Sequence, residues 1–254
     1  MEDEGILGES TRAAPMRRKV VLSWSGGKDS SLALAALRAD DSYEVVGLLT
    51  SITTGYDRVS IHGVRRELVE AQAAATGLPL FEVILEAASS NASYEAAFRH
   101  ALAQLLLKEP AVEFIAFGDL YLEDVRAYRE RLLSATGFEP LFPLWHRDTR
   151  KLAQEFVEAG FRAVLVCVDT TQLAAEFAGR SFDSALLADL PGGVDPCGEE
   201  GEFHTFVWDG PDFPTPIPVK IGETLLRDAR FAFTDLIPID LPPGQPDIRA
   251  PGIG

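Results

Sequence analysis

The chain has 254 residues, with 23 Lys and Arg against 39 Asp and Glu, which leaves a formal net charge of −16 at pH 7. A hydrophobic fraction of 46% with 24% charged residues belongs to a folded globular chain long enough to bury its own core, and excludes wholesale disorder. The acidity disfavours nucleic acid as a partner, because phosphate contacts need clustered Lys and Arg, and two cysteines, Cys167 and Cys197, are too few for a disulfide framework.

Residues 1–16 are polar and aperiodic, carry their acids first and lack a hydrophobic signal core, so a disordered lead-in is expected. Short β-rich runs then alternate with helical segments. Lys19–Trp24 (KVVLSW) reads as a buried strand, followed by a glycine turn and a helix through SLALAALRA. Glu44–Thr50 is a second strand, and Val64–Thr76 a helix that stops at Gly77. Leu80–Leu85 is a third strand, Tyr94–Lys108 a helix closed by Pro110, Glu113–Phe117 a fourth strand, and Leu122–Ala135 a helix ending near Gly137. This alternation predicts an α/β fold on a doubly wound parallel sheet. With spatial order 3-2-1-4, ligands settle at the carboxyl ends of strands one and four, where the winding reverses.

The pattern loosens after about residue 138. Phe138–Trp145 carries two prolines and suits a linker or edge segment. Thr149–Ala159 reads as a helix, Arg162–Val168 as an apolar strand, Phe182–Leu190 as a short helix, and Phe203–Trp208 as a further strand after a Gly/Pro-rich loop. The expected division is therefore a nucleotide-type domain over 17–137, a smaller α+β acceptor domain over 138–240 and an irregular tail over 241–254. No uninterrupted apolar run is long enough to span a bilayer, so no membrane partner and a cytoplasmic location are expected. The sequence leaves room for a homodimer.

The strongest chemical signal is Ser25-Gly26-Gly27-Lys28-Asp29-Ser30, between a predicted strand and a predicted helix. A helix N-terminus offers unpaired N–H groups and a partial positive charge to an anion. Two glycines allow close backbone approach, Ser25 and Ser30 add hydroxyl donors, and Lys28 adds a point charge for a polyphosphate. Asp29 fits an anion site when a divalent cation bridges carboxylate and phosphate. The loop is neither GxxxxGK[ST] nor GxGxxG.

SGGKDS after a first hydrophobic strand resembles the PP-loop of the adenine nucleotide α-hydrolase-like, or N-type ATP pyrophosphatase, superfamily. Three further segments resemble the diphthine–ammonia ligase family: Ile61-His62-Gly63-Val64, then Phe117–Arg131 with Pro143–Trp145, and CGEEGEFHTFV at Cys197–Val207. They are most similar to its bacterial ATP-binding branch. Archaeal and eukaryotic members tend to read SEYQR where this chain has Leu122–Arg126, and GEFET where it has Gly201-Glu202-Phe203-His204-Thr205. Nucleotide chemistry therefore carries over better than the acceptor; diphthine itself is a modified histidine of archaeal and eukaryotic elongation factor 2.

The resemblance implies an ATP-dependent ligase that adenylates a small-molecule or protein-borne carboxylate, releases pyrophosphate, and then admits ammonia to release AMP. It places Ser23, Ser25, Gly26, Gly27, Lys28, Asp29, Ser30, Thr50, His62 and Gly118 around ATP, and Asp29 and Asp119 on Mg²⁺. Lys28, Asp29, Asp119, Glu202 and His204 are the expected catalytic groups; Glu199, Glu202, His204, Thr205 and Arg126 are expected at the acceptor. Strand alternation over Glu202–Phe206 sets Glu202 and His204 on one face, an acid and an imidazole suited to taking a proton from ammonia. Arg129 shares a helix with Arg126 and also suits a phosphate. Cys197 beside the acidic loop keeps sulfur transfer in view. Two other readings stay open: a tRNA-modifying ATP pyrophosphatase and a non-catalytic adenine-nucleotide-binding protein.

Overall fold

Arg18–Ser23 (β1) alternates between two dry faces: Val20 and Leu22 enter one hydrophobic cluster and Val21 the other. A strand dry on both sides belongs at the centre of a parallel sheet, and the computed structural model, which describes residues 16–87 and 89–239, places it there. Tyr43–Thr53 (β2) and Val112–Ala116 (β5) flank it in parallel. Leu80–Leu85 (β4) lies parallel outside β2, and Glu139–Leu141 (β6) outside β5. The order β4-β2-β1-β5 is the expected 3-2-1-4, and the proline-bearing 138–145 segment supplies the edge. Residues 1–15 of the lead-in expected over 1–16, and the tail expected over 241–254, lie outside the described residues.

One strand of this sheet has no counterpart in the sequence reading. Arg58–Val59 (β3) pairs antiparallel with Ile52 and Thr53 of β2. The other flank of those residues is taken by β4, so β3 lies on the β1 side, beyond the carboxyl end of β1. It thereby roofs the crevice where the winding reverses.

Lys28–Ala39 (α1) and Arg66–Thr76 (α2) bury apolar side chains against one face of the sheet. Asn91–Lys108 (α3) and Glu123–Leu133 (α4) cover the other. Gly77, at φ 73°, takes the left-handed conformation that ends α2.

A second, antiparallel sheet follows. Arg162–Asp169 (β7) lies between Phe203–Asp209 (β8) and Phe231–Pro238 (β10), with Val219–Arg227 (β9) at the edge. Thr149–Glu158 (α5) and Ser184–Asp189 (α6) pack beside it. The hairpin of β9 and β10 escaped the sequence for a physical reason. Nearly all of β9 is exposed, so it lacks the two-residue alternation of a half-buried strand. Its turn also puts Asp228 and Ala229, rather than glycine, at positive φ.

The cluster covering α1 and α2 continues through Phe156 to Leu165 and Phe206 of the second sheet. That continuity seats β8 directly on the loop between β1 and α1. Among the described residues, no helix is long and apolar enough to cross a membrane.

Candidate functional site

The site begins with how the Ser25–Gly27 loop is held. Trp24 N–H reaches Leu49 O at 2.8 Å, closing the end of β1 onto β2. Val207 N–H donates to Gly26 O at 2.9 Å, and Lys28 N–H to Thr205 Oγ1 at 3.0 Å. Gln72 of α2, fully buried, completes the clamp. Its Nε2 donates to Gly26 O at 2.9 Å and Val207 O at 2.7 Å, while its Oε1 accepts from Trp24 Nε1 at 2.8 Å.

The two glycines serve this packing. A Cβ on Gly26, at φ 79°, would lie 2.5 Å from Gln72 Oε1, and one on Gly27 would lie 3.0 Å from Thr205 O. Their bare faces thus meet the chain itself, and the open side of the loop belongs to Ser25, Lys28, Asp29 and Ser30. The N-cap residue Gly27 offers α1 no side chain, and Thr205 takes the N–H of Lys28, which leaves the N–H groups of Asp29 and Ser30 to an external anion.

Two adjoining cavities open at the carboxyl ends of the central strands. The larger, about 680 Å³, is walled by Ser23, Trp24, Leu49, Ser51 and Thr53 below, the β3 segment above, and Tyr94, Tyr128 and Arg129 at the side. The smaller, about 260 Å³, runs from Ser25–Ser30 past Gly118 and Asp119 to Glu199, Gly201, Phe203, His204 and Thr205. Gly118 touches the helix start so closely that a Cβ would meet Asp29 C at 3.0 Å and Ser30 N at 3.2 Å.

Lys28 is 2% exposed, yet charged. Its Nζ donates to Asp29 Oδ1 at 2.6 Å and to the carbonyl oxygen of Cys197. Burial opposes the ammonium, but Asp29 and the Cys197–Glu199 region outweigh it and hold its pKa above the ordinary value. Glu199 Oε1 accepts from Leu120 N–H at 2.7 Å, so this one loop reaches both the phosphate loop and the segment after β5. Burial, reinforced by Asp29 and Asp119 against the opposing Leu120 N–H and Lys28, pushes the Glu199 carboxyl up to about 7.

The rings of His62 and His204 stack with centroids 4.3 Å apart, and His62 Nδ1 is buried without a partner. Burial, with Lys28 nearby, lowers His204 to about 4; burial and the His204 ring hold His62 well below the usual imidazole range. Both rings are therefore neutral at pH 7.

Most of the expected site residues meet here: Ser23, Ser25, Gly27, Lys28, Asp29, Ser30, His62, Gly118, Asp119, Glu199, His204 and Thr205 all line one or both cavities. Four do not. Gly26 is enclosed by Gln72. Thr50 is buried on the opposite face of β2, because Leu49, Ser51 and Thr53 take the cavity side. Glu202 precedes β8 rather than lying in it, so strand alternation does not pair it with His204; it turns inward and accepts Asp195 N–H at 2.8 Å. Arg126 binds Glu130 four residues on at 2.8 Å and lies over Trp145, away from the cavities.

Arg129, three residues on along the same helix, lines the cleft and donates to Asp119 Oδ2 at 3.3 Å. Cys197 is buried, its thiol pushed up to about 12 by burial and directed at Thr149 O, which leaves no thiolate at neutral pH. Among the described residues, no three His, Cys, Asp or Glu side chains group as a metal cage. Gln72 is the residue that sequence reasoning missed. Its signal was its place four positions after Leu68, on the buried face of a helix.

Two family models match in sequence order: the diphthamide synthase N-terminal domain over residues 18–140 and the diphthamide synthase C-terminal domain over residues 148–232. The chain belongs to the diphthamide synthase family. Among family relatives, the diphthine–ammonia ligase of Danio rerio is 29% identical over 241 residues, covering 84% of this chain and 91% of its own length. That of Homo sapiens is 26% identical over 231 residues, covering 81% and 84%. That of Schizosaccharomyces pombe is 25% identical over 233 residues; these cover 82% of this chain but only 37% of the yeast protein. These three relatives are eukaryotic, so they leave the bacterial branch untested. Both matched family domains contribute to the cavities, the first with the phosphate loop and the second with Glu199, His204 and Thr205.

Proposed function

We propose that this chain is an ATP-dependent ligase that forms a carbon–nitrogen bond between an acceptor carboxylate and ammonia, the chemistry for which its diphthine–ammonia ligase relatives are named. ATP lies with its nucleoside in the larger cavity and its β,γ-phosphates on Ser25, Asp29 and Ser30 at the start of α1. The N–H groups of Asp29 and Ser30 at the helix start and the nearby Lys28 charge stabilise the polyphosphate.

An acceptor carboxylate oxygen attacks the α-phosphorus. A phosphorus–oxygen bond forms, the bond to the bridging oxygen of the β-phosphate breaks, and pyrophosphate leaves with the electron pair. Ammonia then attacks the acyl carbon, AMP departs with the bonding pair, and the surplus nitrogen proton passes to a base. Glu199 suits that step, since it reaches the cleft and changes protonation near neutral pH. His62 and His204, neutral and stacked, shape the acceptor side without adding charge.

Asp29 and Asp119 both face the smaller cavity. Two carboxylates beside phosphate oxygens suit Mg²⁺; they would hold the ion, and it would neutralise phosphate charge there.

A protein-borne carboxylate is the acceptor class that accords with the relatives' names. The observation carrying the proposal is the joint cleft: one loop of the second half holds Lys28 by the Cys197 carbonyl and brings Glu199 to the same phosphate end. The test supplies α-labelled ATP, ammonium chloride and diphthine-bearing elongation factor 2. AMP and pyrophosphate are the expected products; ADP overturns the proposal. Lys28→Met should abolish turnover while the circular dichroism spectrum stays native, and retained turnover counts equally against it.

A further inference from the structure

The two cavities meet at a waist formed by Ser23, Ser25, Ile61, His62, Val125 and Arg129, all of which line both. Arg129 is the one charged side chain in that set. It projects from the second turn of α4, its guanidinium 4.8 Å from the centroid of the Phe117 ring. Its contact with Asp119 is a single bond of 3.3 Å from Nε, a loose tether that sets the plane of the group rather than consuming its donors.

The geometry points to Arg129 as a further catalytic residue, the one that grips the α-phosphate at the waist. This inference rests on the nucleotide placement proposed above. With the nucleoside in one cavity and the terminal phosphates in the other, the α-phosphorus has to sit between them, where the phosphorus–oxygen bond is cut. A planar guanidinium held by an aromatic face and a carboxylate presents parallel N–H donors to two non-bridging oxygens. Lys28 cannot take that part, because its ammonium is held by Asp29 and the Cys197 carbonyl at the far end of the smaller cavity.

Burial disfavours the charge of Arg129, but Asp119 and Tyr94 beside it keep it protonated. It therefore meets both the substrate and the departing AMP as a fixed cation. The group also distinguishes this site from the helix-end contacts of the phosphate loop. Those reach the terminal phosphates and are lost with pyrophosphate, whereas Arg129 stays with the nucleotide through the second half-reaction.

The test uses the full chain, isothermal titration calorimetry, and adenosine and AMP as probes that differ only in the phosphate concerned. Arg129→Gln should weaken AMP at least tenfold and leave adenosine within twofold. Arg129→Lys keeps the charge but loses the fork, and should fall between the parent and Arg129→Gln for AMP. Equal weakening of both probes would mean that Arg129 only supports the cavity wall, and unchanged AMP affinity would mean that it does not reach the phosphate; either result overturns the inference and leaves the nucleotide site standing. Should the unaltered chain bind neither probe, the nucleotide placement fails and the role of Arg129 falls with it.

Discussion

Gln72 offers the sharpest test of how the phosphate loop is built, because all of its hydrogen-bonding capacity but one lone pair is spent on three partners. Replacing it with leucine nearly preserves volume and removes only the polar clamp. The indole N–H of Trp24, 2% exposed, then loses its acceptor, which costs about 1–3 kcal/mol for an unpaired buried donor. Gly26 O keeps its bond from Val207 N–H, so that carbonyl and Val207 O together add roughly 1–2 kcal/mol. Burying a leucine in place of an amide returns about 1 kcal/mol. The net loss is about 1–4 kcal/mol, which for a chain of this size lowers Tm by roughly 2–16 °C. Differential scanning calorimetry of Gln72→Leu reads that directly. Gln72→Glu should be worse than leucine, because a carboxylate keeps the indole bond but faces two carbonyls that it cannot donate to. A fall of less than about 2 °C for leucine, or a glutamate variant more stable than the leucine one, would refute the clamp.

Two other outcomes follow from the same geometry. Glu199→Gln should lower kcat by about 10²–10³-fold and abolish the acidic limb expected in the parent rate near pH 7; a limb that survives the change belongs to another group. The stability of the parent carries the matching sign, since a carboxyl raised in the folded state favours folding below its unfolded pKa and loses that advantage as pH rises through about 7. Urea titrations across that range should therefore show a decline that Glu199→Gln flattens. Gly118→Ala, whose Cβ would press on the backbone of Asp29 and Ser30, should weaken ATP binding by at least about tenfold with the far-ultraviolet spectrum unchanged, since rigid backbone cannot move aside as a side chain does. Binding at parental strength would show that the start of α1 is not part of the site.

Much of the first half was legible from residue order alone. The continuous apolar run of β1, the glycine that ends α2 and the strand–loop–helix setting of SGGKDS are local properties, set by which side chains must be dry and which backbone angles a residue tolerates. They carry the parallel sheet, its order and the position of the phosphate loop. The second half was less legible because its strands get their partners from far along the chain: β9 is wet on most of its length, and β10 pairs with β7 some sixty residues earlier. The site divides in the same way. Residue order identified which side chains carry suitable chemistry, including Lys28, Asp119 and Glu199. Packing alone decided that Arg129 and not Arg126 enters the cleft, that Ser51 and not Thr50 faces it, and that Glu202 turns away. Direction around a helix or across a strand depends on which surface the element is pressed against, and that surface is assembled only when β8 closes over the end of β1.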